Sequence, residues 1–171
     1  MIGCVFSGNA ADQNGGAIAV GQFIGEPVSL DVRNCSFVQN TSNNFGGAAI
    51  VALVKGSVTL KNNLFSENVS TGSSSTVDLA VGTGQTLLIQ NCQFLGNRAE
   101  RVGGAALNGE EDSMLIVRDS LFANNVATGF GSGGLSVFGG KAIIERSAFV
   151  HNTSQSLSLI HISEPTRQAE I

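Results

Sequence analysis

The acidic side chains are the residues of this sequence that could do chemistry, because breaking a polysaccharide by hydrolysis or elimination requires carboxyl groups acting as acid and base. Asp31 and Asp119 fall at different points of the repeat described below, and the acidic run 110–112 is typical of a solvated turn. Asp78 is a single carboxylate with no second acid or arginine at a matching position. The sequence therefore predicts no catalytic residue, and it leaves open whether the protein is an enzyme.

The cysteines and histidines do not form a metal-binding pattern, since the chain has no Cys-x-x-Cys motif and no histidine cluster. We therefore expect neither a metal nor another cofactor. Cys4 and Cys35 lie one repeat apart and could approach each other, whereas Cys92 lies two repeats from Cys35, which is beyond disulfide reach. At most one disulfide can form. Free, packed thiols are favoured, but a Cys4–Cys35 bridge stays open.

Composition places the chain among folded proteins with few charges. Of its 171 residues 42% are hydrophobic and 13% are charged, whereas disorder requires low hydrophobicity and high net charge. The net charge of −4 and the scattered basic residues exclude nucleic acid as an expected partner. The longest apolar run, 46–54, is far shorter than the roughly 20 residues of a membrane-spanning helix. We therefore expect no membrane span within this fragment.

Internal repetition is the strongest signal in the sequence. A Phe-x-x-Asn frame occurs six times, and its successive asparagines are 31, 28, 29, 28 and 27 residues apart. A Gly-Gly pair opens a short apolar stretch after most copies of the frame, and a stretch of alternating apolar and polar residues precedes most of them. The frame residues are Phe6, Phe37, Phe65, Phe94, Phe122 and Phe149, with Asn9, Asn40, Asn68, Asn97, Asn125 and Asn152.

Each repeat predicts three short strands, and a unit of this size can bury its apolar residues only by stacking on the next unit. The sequence thus predicts an all-β parallel β-helix, a solenoid of about five to six coils of 27–31 residues. Equivalent positions then form columns along the axis. We expect an interior phenylalanine stack, a hydrogen-bonded asparagine ladder and an outward row of polar side chains, namely Arg33, Lys61, Gln90, Arg118 and Glu145.

The Gly-Gly stretch predicts an exposed apolar strip. Counting from the frame asparagines places five residues in one outward column: Ala19, Ile50, Asp78, Leu107 and Val137. A strip of this kind is larger than a soluble monomer usually exposes, so it suggests a docking face. The alternative is that another segment of the same protein covers it.

Four Asn-x-Ser/Thr sequons occur, at Asn34, Asn40, Asn68 and Asn152. Three of them use the frame asparagine, and a side chain buried in a ladder cannot easily carry a glycan. We therefore interpret these sequons as by-products of composition and not as glycosylation sites.

The repeat pattern ends before the last residues of the chain. We expect residues 1–156 to form the β-helix region, truncated at both ends. Residues 157–171 resemble a translated sequencing adapter and are expected to be a non-native tail.

The pairing of Gly-Gly-Ala-Ile at 15–18 with Phe-x-x-Asn resembles the repeats of chlamydial polymorphic outer-membrane proteins, and more broadly the right-handed, pectin-lyase-like parallel β-helix superfamily. The resemblance covers about residues 3–156 and carries over no catalytic residue. It implies an extracellular or cell-surface location, in the outer membrane if the protein is autotransporter-like. It also implies adhesion, with a host or cell-surface protein or a glycan as the partner.

These observations favour a non-catalytic fragment of a cell-surface or secreted β-helix protein that acts in adhesion or surface presentation. The alternative is a polysaccharide lyase or glycoside hydrolase whose catalytic coils lie outside this fragment.

Overall fold

The repeats fold into successive coils because each short strand finds its hydrogen-bond partners in the coils before and after it rather than within its own repeat. A computed structural model describes residues 1–13, 15–21, 28–43, 47–72, 75–155 and 160–163. Strands are the only regular elements in these residues, and all their pairings are parallel. This confirms the predicted all-β solenoid, with about five coils.

In the described part of the chain, twenty-three strands follow one another in a fixed order. They are, coil by coil, β1 (Val5–Ser7), β2 (Ala10–Ala11), β3 (Ile18–Gly21) and β4 (Leu30–Arg33); β5 (Ser36–Val38), β6 (Thr41–Ser42), β7 (Ile50–Val54) and β8 (Val58–Lys61); β9 (Leu64–Ser66), β10 (Val69–Ser70), β11 (Val77–Val81) and β12 (Thr86–Gln90); β13 (Gln93–Leu95), β14 (Arg98–Ala99), β15 (Ala105–Gly109) and β16 (Met114–Arg118); β17 (Leu121–Ala123), β18 (Val126–Ala127), β19 (Leu135–Phe138) and β20 (Lys141–Glu145); β21 (Ala148–Val150), β22 (Thr153–Ser154) and β23 (Ile160–Ser163).

The strands form four sheets that run along the solenoid. The Phe sheet contains β1, β5, β9, β13, β17 and β21, and the corner sheet contains β2, β6, β10, β14, β18 and β22. The Gly sheet contains β3, β7, β11, β15, β19 and β23, and the alternating sheet contains β4, β8, β12, β16 and β20. Every strand therefore pairs with the equivalent strand one coil away.

The corner sheet corrects the predicted number of strands, because each coil has four strands rather than three. Its strands are only two residues long and directly follow the frame asparagine, as in β6 and β10. Two residues are too few to show an alternating pattern, so this strand is defined only by its pairing with neighbouring coils. Its second residue points inward, as the buried Ser42 and Ser70 show.

The core is made by the inward residues of all four sheets. In the alternating sheet, Leu60, Leu87 and Val117 have no exposed side-chain surface, whereas their neighbours in sequence are half-buried or exposed. This follows from the period of two in a strand, which sends successive side chains to opposite faces. Stacking then covers each buried residue from the coils on both sides.

The corners on either side of the Phe sheet are formed by residues in the left-handed conformation. One corner column contains Asn34, Asn62, Asn91, Asp119 and Arg146, with φ between 44° and 57°. The other column contains Gly8, Gln39, Glu67, Gly96, Asn124 and His151. Asparagine and glycine suit these positions because they tolerate positive φ better than other residues.

Close approach between coils explains why position 16, in the first Gly-Gly pair, is a glycine. A Cβ atom on Gly16 would collide with the carbonyl oxygens of Thr41 and Ala48 in the next coil. Glycine is therefore required where the chain passes from the corner sheet to the Gly sheet.

Of residues 157–171, only β23 lies within the described part of the chain, where Ile160 pairs with Leu135 of β19. The expectation that this segment is a non-native tail stays a prediction, as do the boundaries of the β-helix region.

Candidate functional site

The six frame phenylalanines form one stack inside the solenoid. Neighbouring ring centroids are 4.5–4.9 Å apart and their planes are within 13° of parallel. Phe37, Phe65, Phe94 and Phe122 are completely buried, whereas the end members Phe6 and Phe149 are half-buried. The spacing equals the distance between adjacent strands, so the geometry is set by the coils. The stack is part of the core rather than a binding site.

The frame asparagines form a hydrogen-bonded ladder beside the phenylalanine stack. The backbone N–H and the Nδ2 of Asn68 both donate to Oδ1 of Asn97, at 3.0 and 2.9 Å. Its Nδ2 also donates to the carbonyl oxygen of Phe37, in the preceding coil, at 3.0 Å. The same pattern recurs from Asn9 to Asn152. Each buried amide is thus satisfied, and the ladder serves the fold.

A second interior ladder lies at the cysteine position and was not predicted as such. The backbone N–H of Cys35 donates to Oδ1 of Asn63 at 2.8 Å, and that of Cys92 donates to Oγ of Ser120 at 3.1 Å. Cys4 donates in the same way to Sγ of Cys35 at 3.4 Å. Sequence analysis identified only a preference for small residues here. The missed signal is that cysteine, asparagine and serine are all acceptors.

The three cysteines are thiols in this structure. Cys35 and Cys92 are buried and Cys4 is half-buried. Burial raises the pKa of the Cys92 thiol to about 11, despite hydrogen bonds that oppose the rise. Their side chains donate to backbone carbonyl oxygens, as Cys35 does to Arg33 at 3.2 Å. They behave as small core residues.

The predicted docking face is wrong. Ile50, Leu107 and Val137 are buried inward residues, and the five predicted members lie in three different columns. The observed outward column contains Ala19, Val51, Asp78, Ala106 and Ser136. Its members lie 10, 11, 10, 9 and 11 residues after the ladder asparagine of their coil. A connection that differs by one residue turns every following side chain to the other face of the sheet, so a fixed count fails.

The observed column is largely covered, because Val51, Ala106 and Ser136 are buried. Asp78 is half-buried between Val51 and Ala106 and accepts a hydrogen bond from Nδ2 of Asn108 at 3.2 Å. Burial raises the pKa of Asp78 above its ordinary value, while the charge of Arg101 and the Asn108 hydrogen bond oppose the rise.

A cleft of about 360 Å³ lies along the end of the Gly sheet, and Lys55, Asn108 and Glu110 are among its lining residues. Arg101 lies nearby in the chain with its guanidinium 5.6 Å from the ring centroid of Phe138. The sequence does not connect Asn108 or Arg101 with Asp78, because both lie in the next repeat and only the stacking register brings them close.

The exposed asparagine row, defined as Asn34, Asn62 and Asn91, runs along the corner between the alternating sheet and the Phe sheet. Nδ2 of Asn62 donates to Oδ1 of Asn34 at 3.0 Å, and Nδ2 of Asn91 donates to Oδ1 of Asn62 at 2.9 Å. The row borders a cleft of about 480 Å³ that Leu64 and Gln93 also line. It therefore presents oriented amides to solvent in successive coils.

The predicted outward row of polar side chains is confirmed, since Arg33, Lys61, Gln90, Arg118 and Glu145 are in register across five coils. Exposed ion pairs join Arg33 to Asp31, and join Arg146 to both Asp119 and Glu145. A hydrogen bond from Arg33, at 2.8 Å, lowers the pKa of Asp31, and hydrogen bonds from Arg146, at 2.7 and 3.1 Å, lower that of Asp119. Exposed pairs of this kind contribute little stability.

The described ranges contain neither a cluster of metal-ligating side chains nor a membrane-spanning helix. No three His, Cys, Asp or Glu side chains in these ranges lie together as a metal site would require. No helix there has the length and apolar character needed to cross a membrane.

Comparison with known proteins gives two matches. Residues 3–21 match the Chlamydia polymorphic membrane protein repeat, and this segment contains the first Phe-x-x-Asn frame and the first Gly-Gly pair. The chain is also 28% identical over 136 residues to the metabotropic glutamate receptor-like protein R of Dictyostelium discoideum. That match covers 75% of this chain and 8% of the relative, so the chain spans a small part of its relative's length. No solved structure gives a significant match.

The first match and the fold agree, because residues 3–21 contain β1, β2 and β3, three of the four strands of the first coil. The chain is thus a parallel β-helix repeat protein, and its residues 3–21 are similar to the polymorphic membrane protein repeat.

Proposed function

We propose that this chain is part of a cell-surface or secreted protein and that its β-helix acts in adhesion or surface presentation. It works by binding rather than by catalysis. The observation that carries this proposal is the exposed asparagine row, which presents hydrogen-bonding amides in three successive coils beside a cleft of about 480 Å³.

The row fits a glycan better than an apolar partner. An asparagine amide both donates and accepts hydrogen bonds, and so does a sugar hydroxyl. Neighbouring amides are about 4.8 Å apart, since this is the strand spacing. The half-buried Leu64 adds an apolar surface to the same cleft. A glycan chain lying along the axis would meet an amide at each coil.

The similarities to known proteins support a location at the cell surface or outside the cell. A repeat of a Chlamydia membrane protein matches residues 3–21, and the relative from Dictyostelium is named as receptor-like. An outer-membrane location follows if the whole protein is autotransporter-like.

A glycan array probed with the full, unglycosylated chain tests this proposal. Asn62→Gly and Asn91→Gly remove amides from the row, and glycine keeps the positive φ of these corners without strain. Each change should weaken binding of any captured glycan about fivefold to tenfold, as expected for one lost hydrogen bond.

Asn124→Gly is the matched control, because Asn124 is also exposed and left-handed but belongs to the other corner column. Its affinity should equal that of the unchanged chain. Equal binding by all three variants would overturn the role of the row. Binding to a surface protein that carries no glycan would show that the ligand is a protein and not a glycan.

A second candidate function is that of a polysaccharide lyase or glycoside hydrolase that uses the carboxyl group of Asp78 in this chain. Asp78 favours it, because it is a half-buried carboxyl with a raised pKa and its partner Asn108 lines the cleft of about 360 Å³. Incubation with plant and bacterial polysaccharides discriminates the two functions. Release of reducing ends that Asp78→Asn abolishes would favour the enzyme.

A further inference from the structure

The four sequons of the chain differ in what the fold does with their asparagines. Asn40 and Asn68 are completely buried and Asn152 is 3% exposed, whereas Asn34 lies on an exposed corner. We propose that Asn34 is an acceptor for an N-linked glycan and that it is the single sequon whose glycosylation the fold tolerates.

Asn40 and Asn68 have no amide hydrogen to give up, and the buried Nδ2 of Asn152 donates to the carbonyl oxygen of Phe122 at 2.8 Å. Nδ2 of Asn40 donates to the carbonyl oxygen of Phe6 at 3.1 Å and to Oδ1 of Asn68 at 2.9 Å. Asn68 uses both hydrogens in the same way. An N-linked glycan replaces one of these two hydrogens, so it would break a buried hydrogen bond and require space inside the solenoid. A chain glycosylated there would fail to stack its coils.

Asn34 has the opposite hydrogen-bonding pattern, because in the described part of the chain its side chain accepts a hydrogen bond from the next coil and does not donate one. Its Oδ1 accepts the hydrogen bond from Asn62, and within the described residues its Nδ2 has no partner. A sugar on Nδ2 therefore leaves that hydrogen bond intact. The backbone N–H of Asn34 donates to the carbonyl oxygen of Lys61 at 3.0 Å, which holds the corner in place whatever the side chain carries. Ser36, the third residue of the sequon, is half-buried rather than enclosed.

The donor required is a lipid-linked oligosaccharide diphosphate. Nδ2 of Asn34 attacks the first carbon of the sugar, and the bond from that carbon to the diphosphate oxygen breaks. A bond between nitrogen and carbon forms, the amide loses one proton and the lipid diphosphate leaves. The modification rests on the proposed export of the protein, because such donors face the compartments through which proteins are exported.

The glycan would also affect binding. Asn34 is the first member of the exposed asparagine row, so a glycan on it covers one end of that row. Glycosylated protein should therefore bind a ligand of the row more weakly than unglycosylated protein.

Translation of the full chain behind a cleavable export signal, in the presence of microsomes from the endoplasmic reticulum, tests the proposal. The protease-resistant product is digested and its four sequon peptides are mapped by mass spectrometry. Asn34 should carry a glycan that an endoglycosidase removes, and the other three asparagines should be unmodified. Asn34→Gln and Ser36→Ala should each abolish the modification, whereas Ser36→Thr should retain it.

Folded product with a bare Asn34, or with a glycan on Asn40, Asn68 or Asn152, would overturn the proposal. Microsomes supply the donor and the export route. The result therefore reports on the sequon itself, and a negative result leaves the adhesion proposal unaffected. Loss of glycan binding in the array experiment would leave the Asn34 result equally unaffected.

Discussion

The side-chain amide of Asn68 donates a 2.9 Å hydrogen bond to Oδ1 of Asn97 in the next coil, and both residues are completely buried. Asn68→Ala would remove this bond and would also take the acceptor away from two N–H groups of Asn40, its backbone N–H and one hydrogen of its Nδ2. Each unsatisfied buried group costs about 1–3 kcal/mol. We therefore expect the free energy of unfolding in urea to fall by at least about 2 kcal/mol.

The control for the ladder is Asn62→Gly, which removes two exposed inter-coil hydrogen bonds at a left-handed corner. Water replaces the lost partner there, so the cost should stay below about 1 kcal/mol. A loss of similar size in both variants would show that burial does not set the strength of the ladder.

Phe65 lies between Phe37 and Phe94 in the aromatic stack, at 4.9 and 4.7 Å. Phe65→Ala should lower the free energy of unfolding by about 3–5 kcal/mol, because it empties a fully buried site between two coils. Phe130→Ala is the matched control, since Phe130 is 88% exposed, and its effect should stay within about 0.5 kcal/mol. Chemical denaturation of both variants provides the measurement, and equal effects would contradict the stacked core.

Asp78→Asn should stabilise the protein at neutral pH. The folded state holds the Asp78 proton more tightly than the unfolded state does, because burial raises its pKa above the ordinary 3.8. Stability therefore falls as the pH rises from 3.8 through the raised pKa of Asp78, because the folded protein must then bury an ionised carboxylate. The asparagine variant has no charge to bury, so it should be more stable than the unchanged protein at neutral pH. Below about pH 3.8 this difference should vanish, because Asp78 is then protonated in both the folded and the unfolded state.

Thermal melting of both proteins between pH 3 and pH 7 would reveal this difference. A variant that is less stable at pH 7 would show that the Arg101 and Asn108 interactions outweigh the burial of the carboxylate.

Cys4 should react with thiol reagents in the folded protein while Cys92 does not. With a pKa of about 11, only about one in a thousand Cys92 thiols is ionised at pH 8, and the side chain is 1% exposed. A disulfide-based chromogenic reagent should thus titrate one thiol rapidly in the native protein and all three after denaturation. Cys4→Ser should remove the rapid phase. A total of one thiol after denaturation would instead indicate a Cys4–Cys35 bridge.

Sequence reasoning could predict the solenoid because its signal is repeated in every coil. The Phe-x-x-Asn frame keeps the same internal spacing in all six copies, so Phe65 and Phe94 had to occupy equivalent places once the coils stacked. The alternating stretch also keeps a constant spacing to the frame that follows it. Its outward residues, such as Lys61 and Gln90, lie in the column that the spacing predicts.

The Gly sheet could not be predicted in the same way. The connection from the corner strand to the Gly strand varies in length, so Ile50 is buried although it stands as far from Asn40 as the exposed Ala19 stands from Asn9. Asp78 likewise meets Asn108 only through the register of β11 and β15.

The sequence by itself determined that the chain forms a stack of coils with phenylalanine and asparagine columns, because residues at a constant spacing must coincide when identical units pile up. Only the tertiary structure decided which face each residue of the Gly sheet occupies and which asparagines reach solvent. Hydrogen bonding between coils sets the strand register, and a single extra residue in a connection reverses the two faces.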